Sequence, residues 1–303
     1  MSAAFDYRLA VRGTSTYVRE RAGAVSDAGA PDVPTVLLLP GGALDTVDLT
    51  WAPVLDGLPT GWRLVLPELP GYGLSTRLRA PTTAAYVRWL DELVDALGLD
   101  RFVLAGSSKG GAVALAYALR RPDRLSGLVL SAPYGVQVRV PFHALAWRLA
   151  RLPRAAALAR HVLRRPAALA FFFRVVALGR ASSLTPDLLH DAYAGLLPPD
   201  ALEVFVEWLR HELRPEGCRT NLAPRLADLA VPLLWLHGRR DRTTPFACAE
   251  AVAPPGTLVP FNAGHLPPRE CPEAALCAVQ AFVEAVSAGR EATAAAKAAA
   301  ETL

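Results

Sequence analysis

The sequence runs to 303 residues, 52% of them hydrophobic and 20% charged, with a net charge of +4. That composition excludes a disordered chain and supports a sizeable core, and the length fits one large domain with an insertion or two ordinary domains of ~150 residues. So small a net charge argues against nucleic acid as a partner, which needs a concentrated basic face and a matching motif.

In chain order, residues Phe5 to Arg21 alternate in polarity around Gly13 and predict a leading β-hairpin. Thr35–Leu39 is a short unbroken apolar run, as expected of a strand buried on both faces of a parallel sheet. Further runs follow at Trp62–Leu66, Phe102–Ala105 and Leu128–Leu130. Helical spacing of apolar residues lies between them, over Thr82–Leu99 and Ala112–Leu119. The alternation predicts an α/β fold: a mostly parallel central sheet with helices on both faces.

The rhythm breaks between Val136 and Thr220, where Ala/Leu/Arg-rich helical text is interrupted by Pro153, Pro166, Pro186, Pro198 and Pro199. Strand-like runs resume at Val231–Leu236 and Thr257–Val259, and a helix follows over Pro272–Val286. The economical organisation is a core of residues 1–135 and 221–288, an inserted helical cap over 136–220, and an Ala-rich tail over 289–303 that reads as a fraying helix.

Arginine supplies nearly all the positive charge, and the only lysines are Lys109 and Lys297. Cys218, Cys248, Cys271 and Cys277 form no C-x-x-C pair and no zinc spacing with histidine, so no metal is expected. Their scarcity suits a reducing, cytoplasmic setting. The N-terminal MSAAFDYRLAVRG has neither a basic n-region nor an apolar h-region. Arginines break every apolar stretch before the ~20 residues that cross a bilayer, so a soluble rather than an integral membrane protein is expected.

The strongest local signal is Gly106-Ser107-Ser108-Lys109-Gly110, a G-x-S-x-G placed between a predicted strand and a predicted helix. Acyl transfer needs a serine oxygen held on a sharp turn, open to substrate and to a base. Glycines two residues to either side let strand and helix approach, and the helix start aims N–H groups at developing negative charge. Ser108 is therefore the candidate nucleophile. Without that chemistry the segment would be a Gly/Ser-rich connection, and Ser107 has the wrong position relative to the glycines.

From Pro34 to Val286 the chain resembles the α/β-hydrolase superfamily, in its serine-nucleophile branch with a helical cap. The resemblance rests on the serine turn, on Pro67-Glu-Leu-Pro-Gly-Tyr-Gly-Leu-Ser75, and on two further turns. His237-Gly-Arg-Arg-Asp-Arg-Thr-Thr-Pro245 resembles the family's acid turn, which implies Asp241 as the carboxylate. Phe261-Asn-Ala-Gly-His265 resembles its histidine turn, which implies His265 as the base. The order Ser, Asp, His is the family's order, and each residue follows a predicted strand, at the edge where open α/β sheets bind ligands. His237 is the competing histidine and reads as structural. The resemblance also implies an oxyanion hole from the N–H of Lys109 and one in Pro40-Gly41-Gly42-Ala43; by motif position the second donor is Gly42. Pro40 stands where the family usually has histidine. No cofactor is implied.

Lys109 is the only lysine in the folded body. Its ammonium would either meet an anionic substrate group or, as the plainer reading, pair with a carboxylate such as Glu68. Between Arg139 and Arg180 there are nine arginines and no carboxylate, interleaved with Leu145, Trp147, Leu149, Leu158 and Phe171–Phe173. Such a cap suits an acyl-carrier protein, a CoA ester or an anionic membrane surface; the plainer reading is that its apolar side covers the site while arginine keeps the outside soluble. A hydrophobic small-molecule substrate follows from the greasy cap. The expected activity is hydrolysis of an ester, thioester or lactone through an acyl-enzyme. The same triad serves carbon–carbon bond hydrolysis and the release or cyclisation of carrier-bound chains, and a non-catalytic hydrolase-like binding protein is the rival of another class.

Overall fold

A computed structural model describes residues 4–23, 33–198 and 200–301; Met1 to Ala3, at the head of the N-terminal stretch weighed above, and the cap's Pro199 lie outside the described residues. Eight strands form one sheet in the order β1-β2-β4-β3-β5-β6-β7-β8. They are β1 (Ala4–Val11), β2 (Thr14–Arg21), β3 (Thr35–Leu39), β4 (Arg63–Pro67), β5 (Phe102–Ser107), β6 (Leu125–Ser131), β7 (Leu233–Gly238) and β8 (Leu258–Phe261). The predicted hairpin is β1 and β2, closed by Arg12 and Gly13, both with positive φ. Two such residues twist a two-residue turn the way the strands twist. β2 pairs antiparallel with β4, and every later pairing is parallel.

The unbroken apolar runs are explained by burial on both faces. In β3, Leu37 and Leu39 join one core cluster while Val36 and Leu38 join the other. In β7, Trp235 goes to the first cluster and Leu234 and Leu236 to the second. The first cluster is covered by the helices Thr83–Ala96 and Ser108–Ala118, through Trp89, Leu93, Val113 and Tyr117. The second is covered by Pro272–Ser287 and the short turns around Trp51. The Ala-rich tail does not fray. Helix Ala292–Glu301 buries Ala292 and Ala296 in the second cluster, and Thr293 Oγ1 donates to the Leu233 carbonyl at 3.1 Å. Alanine makes this possible, because small side chains let a helix lie close to its neighbour and favour the helical state itself.

Between β6 and β7 the described residues are helical, as the broken rhythm predicts: His143–Ala150, Ala155–Leu163, Pro166–Phe172, Pro186–Ala194 and Ala201–Glu212. Leu169, Phe173, Leu188, Leu196 and Leu202 form a third cluster there, which also takes in Leu44, Leu49 and Leu266 from loops at the strand ends. The insertion is thereby fastened over the C-terminal edge of the sheet. No helix among the described residues is long and apolar enough to cross a membrane.

Candidate active site

Ser108 stands where β5 turns into the helix Ser108–Ala118, with φ of +48°. An L residue there is strained by about 1–3 kcal/mol, and the surroundings hold it. A Cβ on Gly106 would lie 2.6 Å from the Gly110 carbonyl oxygen, and one on Gly110 would strike the Pro40 carbonyl. Both glycines of the motif are thus required by close backbone approach. The second contact also presses the serine turn against the loop after β3.

Asp241 and His265 lie in the turns that follow β7 and β8. A Cβ on Gly238 would collide with the carbonyl of Gly264, so these two turns are in backbone contact. The structure brings the three sequence-predicted side chains together. Ser108 Oγ is 2.9 Å from His265 Nε2, and His265 Nδ1 is 2.8 Å from Asp241 Oδ2. Asp241 Oδ1 accepts from the Thr243 and Thr244 amides at 2.7 and 3.0 Å, and Oδ2 accepts from Thr244 Oγ1 at 2.8 Å.

Burial works to raise the Asp241 carboxyl, but the His265 charge and hydrogen bonds from His237 and His265 outweigh it and hold the group well below the usual carboxylate range. Burial works to lower His265, and the Asp241 charge overrides it, helped by Asp45 and Glu270, so the imidazole lies above its ordinary value. His237 differs. Its Nδ1 accepts from Trp235 Nε1 at 3.1 Å, so Nε2 carries the proton, which points at the Thr244 carbonyl, 2.7 Å away. With both ring nitrogens engaged, His237 braces the Asp241 turn.

Three residues that the sequence did not single out complete the surroundings. Asp45 is buried, and its Oδ2 accepts from the Gly41 amide and Thr50 Oγ1, both at 2.6 Å. Burial pushes its carboxyl up to about 6. Glu270 takes the Gly264 amide at 2.6 Å and the Gly179 amide at 2.9 Å, tying the His265 turn to the cap. The His265 amide itself donates to the Ala177 carbonyl of the cap at 2.6 Å. Tyr72, inside the quoted Pro-Gly-Tyr-Gly stretch, receives the Lys109 ammonium at 2.8 Å. Asp45 and Glu270 lie just beyond the quoted loops at 40–43 and 261–265, and only Tyr72 belongs to a stretch already quoted.

In the loop after β3, the Gly41 amide is taken by Asp45, and the Ala43 amide acts on the Tyr72 oxygen. Ala43 has φ of +60°. The Gly42 N–H has no hydrogen-bond partner among the described residues. The Lys109 N–H lies in the first turn of its helix, where amides lack an intrahelical acceptor. Neither expected role of the Lys109 side chain matches its position. Glu68 accepts from the Val47 amide instead, and the Lys109 ammonium is enclosed by Tyr72, Tyr86 and Trp208, 3.8 Å from the Tyr86 ring centroid. Burial drives its amine well below the ordinary lysine value, against the Glu212 charge. Burial among rings disfavours the charged form of this side chain.

Phe205 of the cap and Lys109 Cδ both crowd Gly42, at 3.1 and 3.2 Å from where a Cβ would stand. An apolar ring therefore borders the serine site. A separate cavity of about 760 Å³ lies between Tyr17, Glu68, the loop over residues 71–77 and Ala194, Leu197, Pro198 and Asp200 of the cap, and contains none of the three residues. Among the described residues no group of three or more His, Cys, Asp or Glu could hold a metal ion.

A family model described as the alpha/beta hydrolase fold matches residues 34–268. The chain belongs to the α/β-hydrolase family, and it is an enzyme. A pimeloyl-[acyl-carrier protein] methyl ester esterase of Aromatoleum aromaticum is 33% identical over 252 residues, covering 78% of this chain and 95% of the relative. A 2-hydroxy-6-oxo-2,4-heptadienoate hydrolase of Pseudomonas putida is 37% identical over 112 residues, 36% of this chain and 40% of the relative. Among solved structures, a thermophilic esterase from Thermogutta terrifontis superposes with a TM-score of 0.71 at 26% identity, over 94% of this chain and all (100%) of that one.

Proposed function

We propose that the protein hydrolyses a carboxylic ester or thioester of a hydrophobic acyl group, with Ser108 as nucleophile, His265 as base and Asp241 as the carboxylate that orients it. The observation that carries this is the unbroken hydrogen-bonded path from the Ser108 hydroxyl to the Asp241 carboxylate, with links of 2.9 and 2.8 Å. His265 Nε2 takes the Ser108 proton as Oγ attacks the carbonyl carbon. The carbonyl electron pair moves onto oxygen, where the N–H groups of Gly42 and Lys109 receive it. Collapse of that intermediate expels the alcohol or thiol, which takes the proton from His265. Water then repeats the sequence on the acyl-enzyme and regenerates Ser108. Asp241 holds the Nδ1–H tautomer and stabilises the imidazolium.

Support for Gly42 comes from its neighbours: the amides on either side are engaged with Asp45 and Tyr72, which leaves the Gly42 N–H to face the reacting oxygen. Loss of one such donor typically costs about 3–4 kcal/mol of transition-state stabilisation. The hydrophobic acyl group is supported by the Phe205 ring beside Gly42. An acyl-carrier protein as the carrier of the ester is supported by the relative named for a pimeloyl-[acyl-carrier protein] methyl ester.

A second reading, hydrolysis of a carbon–carbon bond beside a ketone, is favoured by the relative that cleaves a 2-hydroxy-6-oxo-dienoate. A fluorophosphonate probe followed by peptide mass spectrometry tests the nucleophile, and the expected adduct is on Ser108. Parallel assays on p-nitrophenyl esters of graded chain length and on a 6-oxo-dienoate separate the two reactions. A protein that takes no label on Ser108 and turns over neither substrate would end both readings.

A further inference from the structure

We propose that the outer face of the cap, formed by the helices His143–Ala150, Ala155–Leu163 and Pro166–Phe172, is a docking surface for an anionic lipid membrane. Among the described residues, the only exposed large hydrophobic side chains outside 138–197 are Phe5 and Leu74. Phe142 is 85% exposed, Phe171 66% and Leu158 61%. The spacing is systematic. Leu145 and Leu149 stand four apart on one helix, and Leu158 and Val162 four apart on the next, so each helix shows solvent an apolar stripe. The opposite sides are already in use: Ala150 and Ala156 are buried, and both helices pack on Ala201–Glu212. The exposed stripes are therefore left over after the cap has built its own core.

Charge names the partner. The stretch Arg139–Arg180 holds nine arginines and no carboxylate. Arg148, Arg154, Arg164 and Arg174 form no ion pair among the described residues. A second copy of this face would meet it with like charge. An acidic carrier protein would answer the arginines but leave exposed Phe142 and Phe171 against a polar surface. An anionic bilayer answers both features, since arginines reach the head groups while aromatic and aliphatic side chains enter the acyl boundary. The surface lies on the insertion that covers Ser108, so a docked enzyme would receive apolar substrate from the lipid side. Docking itself does not depend on the ester reading.

The test is co-sedimentation of the full chain with vesicles of phosphatidylglycerol and phosphatidylcholine against vesicles of phosphatidylcholine alone. Binding is expected on the anionic vesicles only and should weaken with added salt. Arg148→Glu, Arg164→Glu and Arg174→Glu together should lower it at least ten-fold. Phe142→Asn with Phe171→Ser should also lower it, with melting temperature and turnover of a water-soluble short-chain ester unchanged; Asn suits the left-handed backbone at 142, where φ is +50°. Equal binding to neutral vesicles, no binding to either, or capture of an acyl-carrier protein without vesicle binding would each overturn the proposal. Vesicle binding without esterase activity would instead sink the ester reading and leave the docking surface standing.

Discussion

The core and the cap use the same residue types in opposite ways. In the core, several arginines end on carboxylates: Arg63 on Glu20 at 2.7 Å, Arg121 on Asp91 at 2.6 Å, and Arg12 on Glu92. In the cap, Arg151 ends on the carbonyls of Trp147, Arg210 and Leu213, and Arg148, Arg154, Arg164 and Arg174 form no ion pair among the described residues. Leu37, Leu38, Leu104 and Leu130 of the core strands are fully buried, whereas Leu145, Leu149 and Leu158 of the cap face outward. The core buries most of its apolar groups and pairs several of its charges within the chain. The cap satisfies only its inner side, and its outer composition is arranged for something else.

That contrast can be broken by substitution. The largest effect is expected in the core, where Ser108→Ala should reduce ester turnover by about 10³-fold or more, as loss of a triad nucleophile does, with little change in melting temperature. Retention of most of the activity would remove Ser108 from the chemistry. Next is the buried side of the cap. Leu188→Ala, at a position with no exposure, should cost about 2–5 kcal/mol in denaturant unfolding, while Leu158→Ser on the outer face should stay within about 0.5 kcal/mol. Equal costs would mean that the two sides of the cap are not distinct.

The pH dependence probes the core more finely. The base must be neutral, and His265 is raised above its ordinary value by Asp241, Asp45 and Glu270 against the effect of burial. Activity in kcat/KM should therefore fall as pH drops through a value above about 6.5. Asp45→Asn removes one of those negative neighbours and should move that limb to lower pH, while the Gly41 amide keeps an acceptor. An unmoved limb would show that Asp45 does not act on the base.

Lys109 titrates in the other direction. Its amine is depressed when folded and ordinary when unfolded, so the unfolded chain binds more protons between the two values, and stability rises with pH across that window. Lys109→Met should flatten that rise and match or exceed the parent's stability at neutral pH, as urea midpoints at several pH values would reveal. The smallest effect is Arg12→Ala, which breaks a partly exposed pair and should cost no more than about 1 kcal/mol. A larger loss would mean that core ion pairs contribute more than closure of charge.

What local sequence determined was whatever depends on neighbours along the chain. The period of the apolar runs set β3, β5, β6 and β7, and the glycines around Ser108 were legible because a strand-to-helix turn demands them within two residues. Asp241 and His265 could be read because each sits at a fixed place after its strand. Tertiary structure decided whatever depends on distant segments meeting: Glu270 between cap and His265 turn, the Ala-rich helix docked on the second core cluster, and Lys109 sheathed in rings from three different segments. Burial lowers the Lys109 amine there and lifts the Asp45 carboxyl, and desolvation of that kind is a property of the assembled interior that no local stretch of sequence contains.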